Sequence, residues 1–211
     1  MPDSPTTVHG VMEGDGAYNR HARIQARGAG VALGLLEDAV GLIDLGPADQ
    51  PIVIADYGSS QGKNSLAPLA AAIQKFRLRA GPDRPILVYH VDLPANDFNS
   101  LFSVLDSDPD RYGTDDGQVF PCAVGKSFYE SVLPSDYVHV GWSSYAAVWL
   151  SRLPALIPDH LVVLRSSGAV RSAFERQAAQ DWETFLALRA RAQRPARSRT
   201  SWNGRRRSNG V

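Results

Sequence analysis

Residues 52 to 64 read Ile52-Val53-Ile54-Ala55-Asp56-Tyr57-Gly58-Ser59-Ser60-Gln61-Gly62-Lys63-Asn64, and no other run limits the fold as much. A β-branched apolar stretch ends near an acid, breaks into a Gly/Ser loop and passes into an apolar-periodic segment. That order predicts strand, tight turn and helix. In an open α/β sheet such a turn lies outside the carboxyl end of its strand, where glycine lets the backbone approach a ligand and helix N-terminal N–H groups face it. A P-loop fits poorly, because it needs four residues between its first Gly and Gly-Lys, then Ser or Thr. Here Gly58 and Gly62 enclose three and Asn64 follows Lys63. The dinucleotide fingerprint G-x-G-x-x-G is also absent. What remains is Asp-x-Gly-x-x-x-Gly, which an ordinary glycine-containing βα turn would also satisfy.

A second strand adds to this reading. Pro85-Ile86-Leu87-Val88-Tyr89-His90-Val91 ends on Asp92, an acid placed to accept hydrogen bonds from ribose hydroxyls, so the two strand ends together describe a nucleoside site. Elsewhere the periodicity predicts a helix from about Asn19 to Leu45, with Val31, Leu35, Ala39, Leu42 and Ile43 as its apolar recurrence and Gly46-Pro47 as its stop. Leu66, Leu69, Ala70, Ile73 and Phe76 mark the face of the next helix, with Asn64 or Ser65 as its cap and Pro68 in its first turn. Asp97 reads as the cap of a helix reaching about Leu105. Val119 to Val124, interrupted by Pro121, and Tyr137 to Trp142 are further strands. Strands separated by helices predict an α/β fold with a parallel sheet and flanking helices. Aromatics follow the last two strands, in Ser127-Phe128-Tyr129 and in Ser143 to Ser151. An aromatic beside an adenosine site can stack on the base, and each one singly could equally be core packing.

With 211 residues, one domain with a real core is expected. The single Cys122 excludes an internal disulfide and a cysteine-based zinc site, and no apolar run approaches the length of a membrane span. A soluble, cytoplasmic protein is expected, with no membrane partner. The balance of 22 basic and 22 acidic residues conceals two unlike parts. Eight arginines fall in the last 23 residues and no acid follows Glu183, so an acidic body precedes a basic stretch without apolar periodicity. Residues 1–10 and 191–211 are expected to be disordered around a core of 11–190. The arginines show no helical face, so a nucleic-acid partner is not expected.

Five motifs in order resemble the SABATH family of carboxyl and N-methyltransferases, whose loop is a variant of the first motif of class I methyltransferases. Its N-terminal motif, Met-x-Gly-Gly-x-Gly with Ser-Tyr and a Gln seven residues after the Tyr, resembles Met12 to Gln25. Ala-Asp-Leu-Gly-Cys-Ser-Ser-Gly-Pro-Asn resembles Ala55 to Asn64, and Asn-Asp-Leu-Pro-Gly-Asn-Asp-Phe-Asn resembles Val91 to Asn99. Gly-Ser-Phe-Tyr and Ser-Ser-Tyr-Ser-Leu-x-Trp-Leu-Ser are similar to Ser127 to Tyr129 and to Ser143 to Ser151.

The resemblance implies a Rossmann-like fold and S-adenosyl-L-methionine as cofactor, surrounded by Tyr18, Asp56, Gly58, Ser59, Asn64, Asp92, Leu93, Ser127 and Phe128. Asp92 would take the ribose hydroxyls, Leu93 and Phe128 would flank adenine, and Ser59 with Asn64 would line the methionine side. Gln25 and Trp149 would hold the carboxylate of a small carboxylic acid as the catalytic and substrate-binding pair, with Tyr145 beside them. Ala17, His21-Ala22, Lys63 and Ala95 depart from the family pattern, and His21 reads as a solvated helix residue. Ser172 to Arg189 resembles the family's helix before its next core strand, and no such strand is recognisable after Arg189. The resemblance therefore implies a truncated enzyme, covering about half of a family member, with a fold incomplete at the C-terminus. An uncovered sheet edge would also allow pairing into a homodimer.

Overall fold

The computed structural model describes residues 14–21, 28, 30–114, 116–157 and 163–195. The expected tail beyond residue 195, the first ten residues and Gln25 lie outside them. Five helices and four strands follow one another as α1 (Ala17–His21), α2 (Leu33–Leu42), β1 (Ile52–Tyr57), α3 (Leu66–Ala80), β2 (Ile86–Asp92), α4 (Phe98–Ser107), β3 (Val119–Gly125), β4 (Val140–Trp142) and α5 (Gly168–Ala192) among the described residues. The strands form one sheet in the order β3-β2-β1-β4, with every pairing parallel. This is the expected α/β architecture.

β1 lies inside the sheet and all six of its residues are buried, as its near-continuous apolar run requires. Its side chains alternate between two cores. Ile52 and Ile54 pack with Leu36, Val40, Leu69 and Phe76 of α2 and α3, while Val53, Ala55 and Tyr57 pack with Val91, Phe185 and Ala192 on the α5 side. β3 is an edge strand, which explains how Pro121 is tolerated within it, since its missing N–H need not serve a ladder on the open side.

Three local expectations are corrected. On α2 the buried residues are Leu36 and Val40, while Val31, Leu35 and Leu42 are exposed and Ala39 is exposed with them. The helix is apolar nearly all round, so periodicity alone does not choose the face that meets α3. It also ends at Leu42, where Ile43 turns extended, three residues short of Leu45. At the start of α3 no side chain caps the helix. Instead the chain enters through a 3₁₀ turn, Lys63–Ser65, preceded by Gly62 at φ +87°, and Asn19 Oδ1 accepts the Lys63 N–H at 3.2 Å.

β4 covers only the last half of the expected strand, because Val138 and His139 are already engaged. The Val53 N–H donates to His139 Nδ1 at 3.0 Å in the buried interior, and Val138 bridges to Gln193 in parallel. α5 continues to Ala192, which is buried, and the Tyr137 and Arg194 N–H groups donate to Ala192 O and Val138 O at 3.0 and 2.8 Å. The chain after α5 thus pairs with Val138, just ahead of β4. Among the described residues no helix is long and apolar enough to cross a membrane.

Candidate active site

The loop after β1 is held against the end of β2 by backbone bonds. Gly58 and Ser59 donate their N–H groups to Val91 O at 2.8 and 3.2 Å. Asp92 closes the join, its Oδ2 accepting the Ser60 N–H at 2.7 Å and its Oδ1 the Leu93 N–H at 2.8 Å. Burial raises the Asp92 carboxyl above its ordinary value, and the two backbone donors work against that rise. β3 joins the same edge, where the Lys126 N–H reaches Asp92 O at 2.7 Å and so brings the neighbouring Ser127 to the strand ends.

The glycine at position 58 is required twice over. Its φ is +84°, a conformation that L side chains rarely adopt, and a Cβ there would overlap the Ala146 methyl. The loop is therefore a close-packed junction: Gly58 touches the segment after β4, and Phe128 borders the same spot, 3.5 Å from where that Cβ would stand.

Segments from before β1 complete the cradle. Asn64 Nδ2 lies 3.4 Å from Tyr18 Oη, and Tyr18 has its hydroxyl raised by burial, with the Asp56 and Asp92 charges adding to the shift. Asp56 is buried and meets His90 Nδ1 at 3.1 Å, whose Nε2 in turn meets Tyr112 Oη at 2.7 Å. Burial, and after it the Asp56 charge, pushes the Tyr112 hydroxyl far upward, so it stays protonated.

Tyr18, Asp56, Gly58, Ser59, Asn64, Asp92 and Leu93 are thus brought to one edge of the sheet, with Ser127 and Phe128 beside them. Ser59 Oγ is buried there without a hydrogen-bond partner among the described residues. Buried polar atoms are rarely left so, and an orphan at a strand end fits a site shaped for a polar ligand.

Four residues support the loop through bonds that are visible only in three dimensions. Asn19 Nδ2 donates to Gln61 O at 2.9 Å and Asn96 Nδ2 to Ser60 O at 2.8 Å, so both hold the loop from outside. Asp97 caps α4 as expected, accepting the Ser100 N–H at 2.9 Å, and also takes Gln61 Nε2 at 3.4 Å. The Asp15 and Gly16 N–H groups help the Ser100 bonds hold its carboxyl below the ordinary range. The polar pairs Asn19 with Gln61 and Asn96 with Asp97 were the available signal.

On the other side of Gly58, Tyr145 sits at φ +60°, 46% exposed, and Trp149 is 52% exposed. Gly28 lies directly against the Tyr145 hydroxyl. Gln25, the third acceptor-side candidate, falls outside the described residues, and His21 is exposed as expected. A cavity of about 530 Å³ between β4 and α5 is lined by Tyr57, Trp142, Tyr145, Trp182, Phe185 and Arg189, among others. Of the candidate residues it includes only Tyr145.

A family profile described as SAM dependent carboxyl methyltransferase matches residues 6–194. The chain belongs to that family. Among its relatives, S-adenosyl-L-methionine:benzoic acid/salicylic acid carboxyl methyltransferase 2 of Petunia hybrida is 32% identical over 191 residues, covering 84% of this chain and 53% of its own length. Indole-3-acetate O-methyltransferase 1 of Oryza sativa subsp. japonica is 30% identical over 210 residues, covering 84% and 51%. A solved structure of loganic acid methyltransferase with SAH superposes at a TM-score of 0.69 and 25% identity, covering 89% of this chain and 56% of that one. The chain spans about half the length of the curated relatives it matches. Within this SABATH family fold, the parallel sheet and its flanking helices correspond to the methyltransferase architecture.

Proposed function

We propose that this chain binds S-adenosyl-L-methionine and transfers its methyl group to the carboxylate of a small acid. The observation that carries the reading is the convergence of Tyr18, Asp56, Ser59, Asn64 and Asp92 at the β1 and β2 ends, with the Ser59 hydroxyl unpartnered among them. In this reading Asp92 accepts the ribose hydroxyls through lone pairs that its two backbone donors leave over. Leu93 and Phe128 flank adenine, while Ser59 and Asn64 line the methionine side. Gly58 keeps the backbone close, and Tyr18, Asp56 and Ser127 close the periphery. When bound, the cofactor supplies an electrophilic methyl group on a sulfonium.

The acceptor side rests on Gln25, Trp149 and Tyr145. Gly28 abuts the Tyr145 hydroxyl. Side-chain N–H groups of Gln25 and Trp149 suit a carboxylate, which with a pKa near ~4 is already ionised at neutral pH and needs no general base. The work left to the protein is alignment in a dry site, a proximity effect that can reach ~7–11 kcal/mol. The reading carries with it a cytoplasmic protein acting on a small molecule, alone or as a homodimer.

A second reading, a cofactor-binding chain without turnover, is favoured by one observation. The Tyr145 and Trp149 rings are about half exposed, so no described residue keeps water from the acceptor side. Calorimetry with S-adenosylhomocysteine and a methyl-transfer assay on benzoate, salicylate and aliphatic acids separate the two. Binding with turnover supports the first, binding alone selects the second, and no binding overturns both.

A further inference from the structure

We propose that Asp181 of α5 is a positioning residue for the acceptor, acting through Ser151 to set the segment that presents Tyr145 and Trp149. The proposal rests on the assignment of those two aromatics to the acceptor side.

The segment from Ser143 to Ser151 needs such an anchor, because it buries almost nothing of its own. Ala146 is its only buried residue, while Tyr145, Val148 and Trp149 are 46%, 72% and 52% exposed. Packing therefore contributes little to its course, and a positive-φ tyrosine followed by a 3₁₀ turn over Ala146–Val148 is not a conformation that a free loop would hold. Polar bonds hold it at three points. Ser143 Oγ donates to Tyr57 O at 2.9 Å, tying the start to β1. Tyr129 Oη donates to Trp149 O at 2.9 Å. At the end, Ser151 donates its N–H to Asp181 Oδ2 at 2.8 Å and its hydroxyl to Asp181 Oδ1 at 2.6 Å.

The third anchor is the most elaborate. Asp181 is buried, and Gln177, one turn earlier on the same face of α5 and equally buried, adds Nε2 to Asp181 Oδ1 at 2.8 Å. Gln177 Nε2 also lies 3.2 Å from Ser151 Oγ, and its Oε1 accepts Arg152 Nε at 2.7 Å, so both residues after Leu150 are gripped by α5. All three donors to Asp181 are neutral. A buried carboxylate held in this way makes charge-assisted bonds, about twice the strength of neutral ones, and its burial is costly if they are removed. Phe174, Phe185 and Ala192 are buried along α5, so the carboxylate rides on a fixed element. Its charge reaches the middle anchor as well. Burial, and then Asp181, pushes the Tyr129 hydroxyl up to about 12.

The test compares the full chain with Asp181→Asn, Asp181→Ala, Ser151→Ala and the Asp181→Ala/Ser151→Ala double variant. Three quantities are read: amide hydrogen exchange of residues 143–151, affinity for S-adenosylhomocysteine, and affinity of the S-adenosylhomocysteine-saturated chain for benzoate. The expected result is exchange in 143–151 faster by tenfold or more, benzoate affinity lower by about tenfold, and S-adenosylhomocysteine affinity within twofold of the original. The double variant should be no worse than the poorer single one, since the two residues act through one bond set. In turnover the loss falls on KM for benzoate more than on kcat. Unchanged exchange in 143–151 of a folded Asp181→Asn or Ser151→Ala chain overturns the proposal. So does an equal loss of both affinities with a lowered melting temperature, which marks a purely structural role. Faster exchange with benzoate affinity untouched instead shows that Tyr145 and Trp149 do not face the acceptor, so the reading of the acceptor side fails and the positioning role fails with it. The Asn and Ser151 variants keep the test decisive if Asp181→Ala does not fold.

Discussion

Ser60 donates its backbone N–H to Asp92 Oδ2 at 2.7 Å, joining the loop after β1 to the end of β2. Asp92 therefore has two tasks, since the Leu93 N–H occupies its other oxygen. Replacing it with alanine strands two N–H groups, at a cost of about 1–3 kcal/mol for each one left buried. Asp92→Ala should lower the melting temperature by several degrees and weaken S-adenosylhomocysteine binding at least tenfold. Thermal melts and calorimetry check both. Tight binding by a folded variant would remove the carboxylate from the nucleoside site.

Ser59→Ala separates site from scaffold more cleanly. Its Oγ has no partner among the described residues, so the mutation relieves an unsatisfied buried hydroxyl. The ligand-free chain should be as stable or more stable by up to about 1 kcal/mol, while S-adenosylhomocysteine affinity falls severalfold. Denaturant titration with and without the ligand reads both changes in one sample. Loss of stability with affinity intact would show that the hydroxyl serves the fold.

Trp149→Phe removes an N–H donor while keeping an aromatic at a position that is half exposed. Methylation of benzoate or salicylate should drop tenfold or more, as should that of Gln25→Ala, with cofactor affinity unchanged in both. Full activity in both variants would show that the carboxylate is held elsewhere.

His139 makes stability depend on pH below neutrality. Burial, with smaller contributions from Arg194 and Arg84, lowers its pKa to about 4, and its Nδ1 must stay unprotonated to accept the Val53 N–H. Between about pH 6.5 and 4 the unfolded chain takes up a proton that the folded one refuses, so stability falls as pH falls through that window. The slope approaches about 1.4 kcal/mol per pH unit where the difference is one full proton. Urea melts from pH 4.5 to 7 should show it. His139→Gln should flatten that segment whatever it does to the plateau, and an unaltered slope would assign the acid sensitivity to another group.

The two strand ends and the loop between them were legible because their chemistry is local: a β-branched run, glycines at fixed spacing, an acid closing the second strand. Asp97 announced itself as a cap for the same reason. The α2 face was not legible, since Leu33 to Leu42 offers apolar residues on nearly every side and only the arrival of α3 selects Leu36 and Val40. Asp181 was equally hidden. Within its own helix it looks like a surface acid, and only a partner 30 residues away gives it a function. The pairing of Gln193 with Val138 was obscured by the basic composition around it, because backbone hydrogen bonds carry no signature in side-chain type.

The stitch between Val53 and His139 spans 86 positions, whereas Asp56 and His90, across the neighbouring pair of strands, are 34 apart. Closing the longer loop costs about 0.8 kcal/mol more chain entropy, before any of the contacts that reward it exist. Early in folding the chain is therefore expected to join β1 to β2, and with them the edge where Asp92 meets Ser60. β4 docks later, and the Tyr145 and Trp149 segment comes after it. A ribosome that has released only the first hundred or so residues would already hold the β1 and β2 ends and the loop between them, with the segment after β4 still to come.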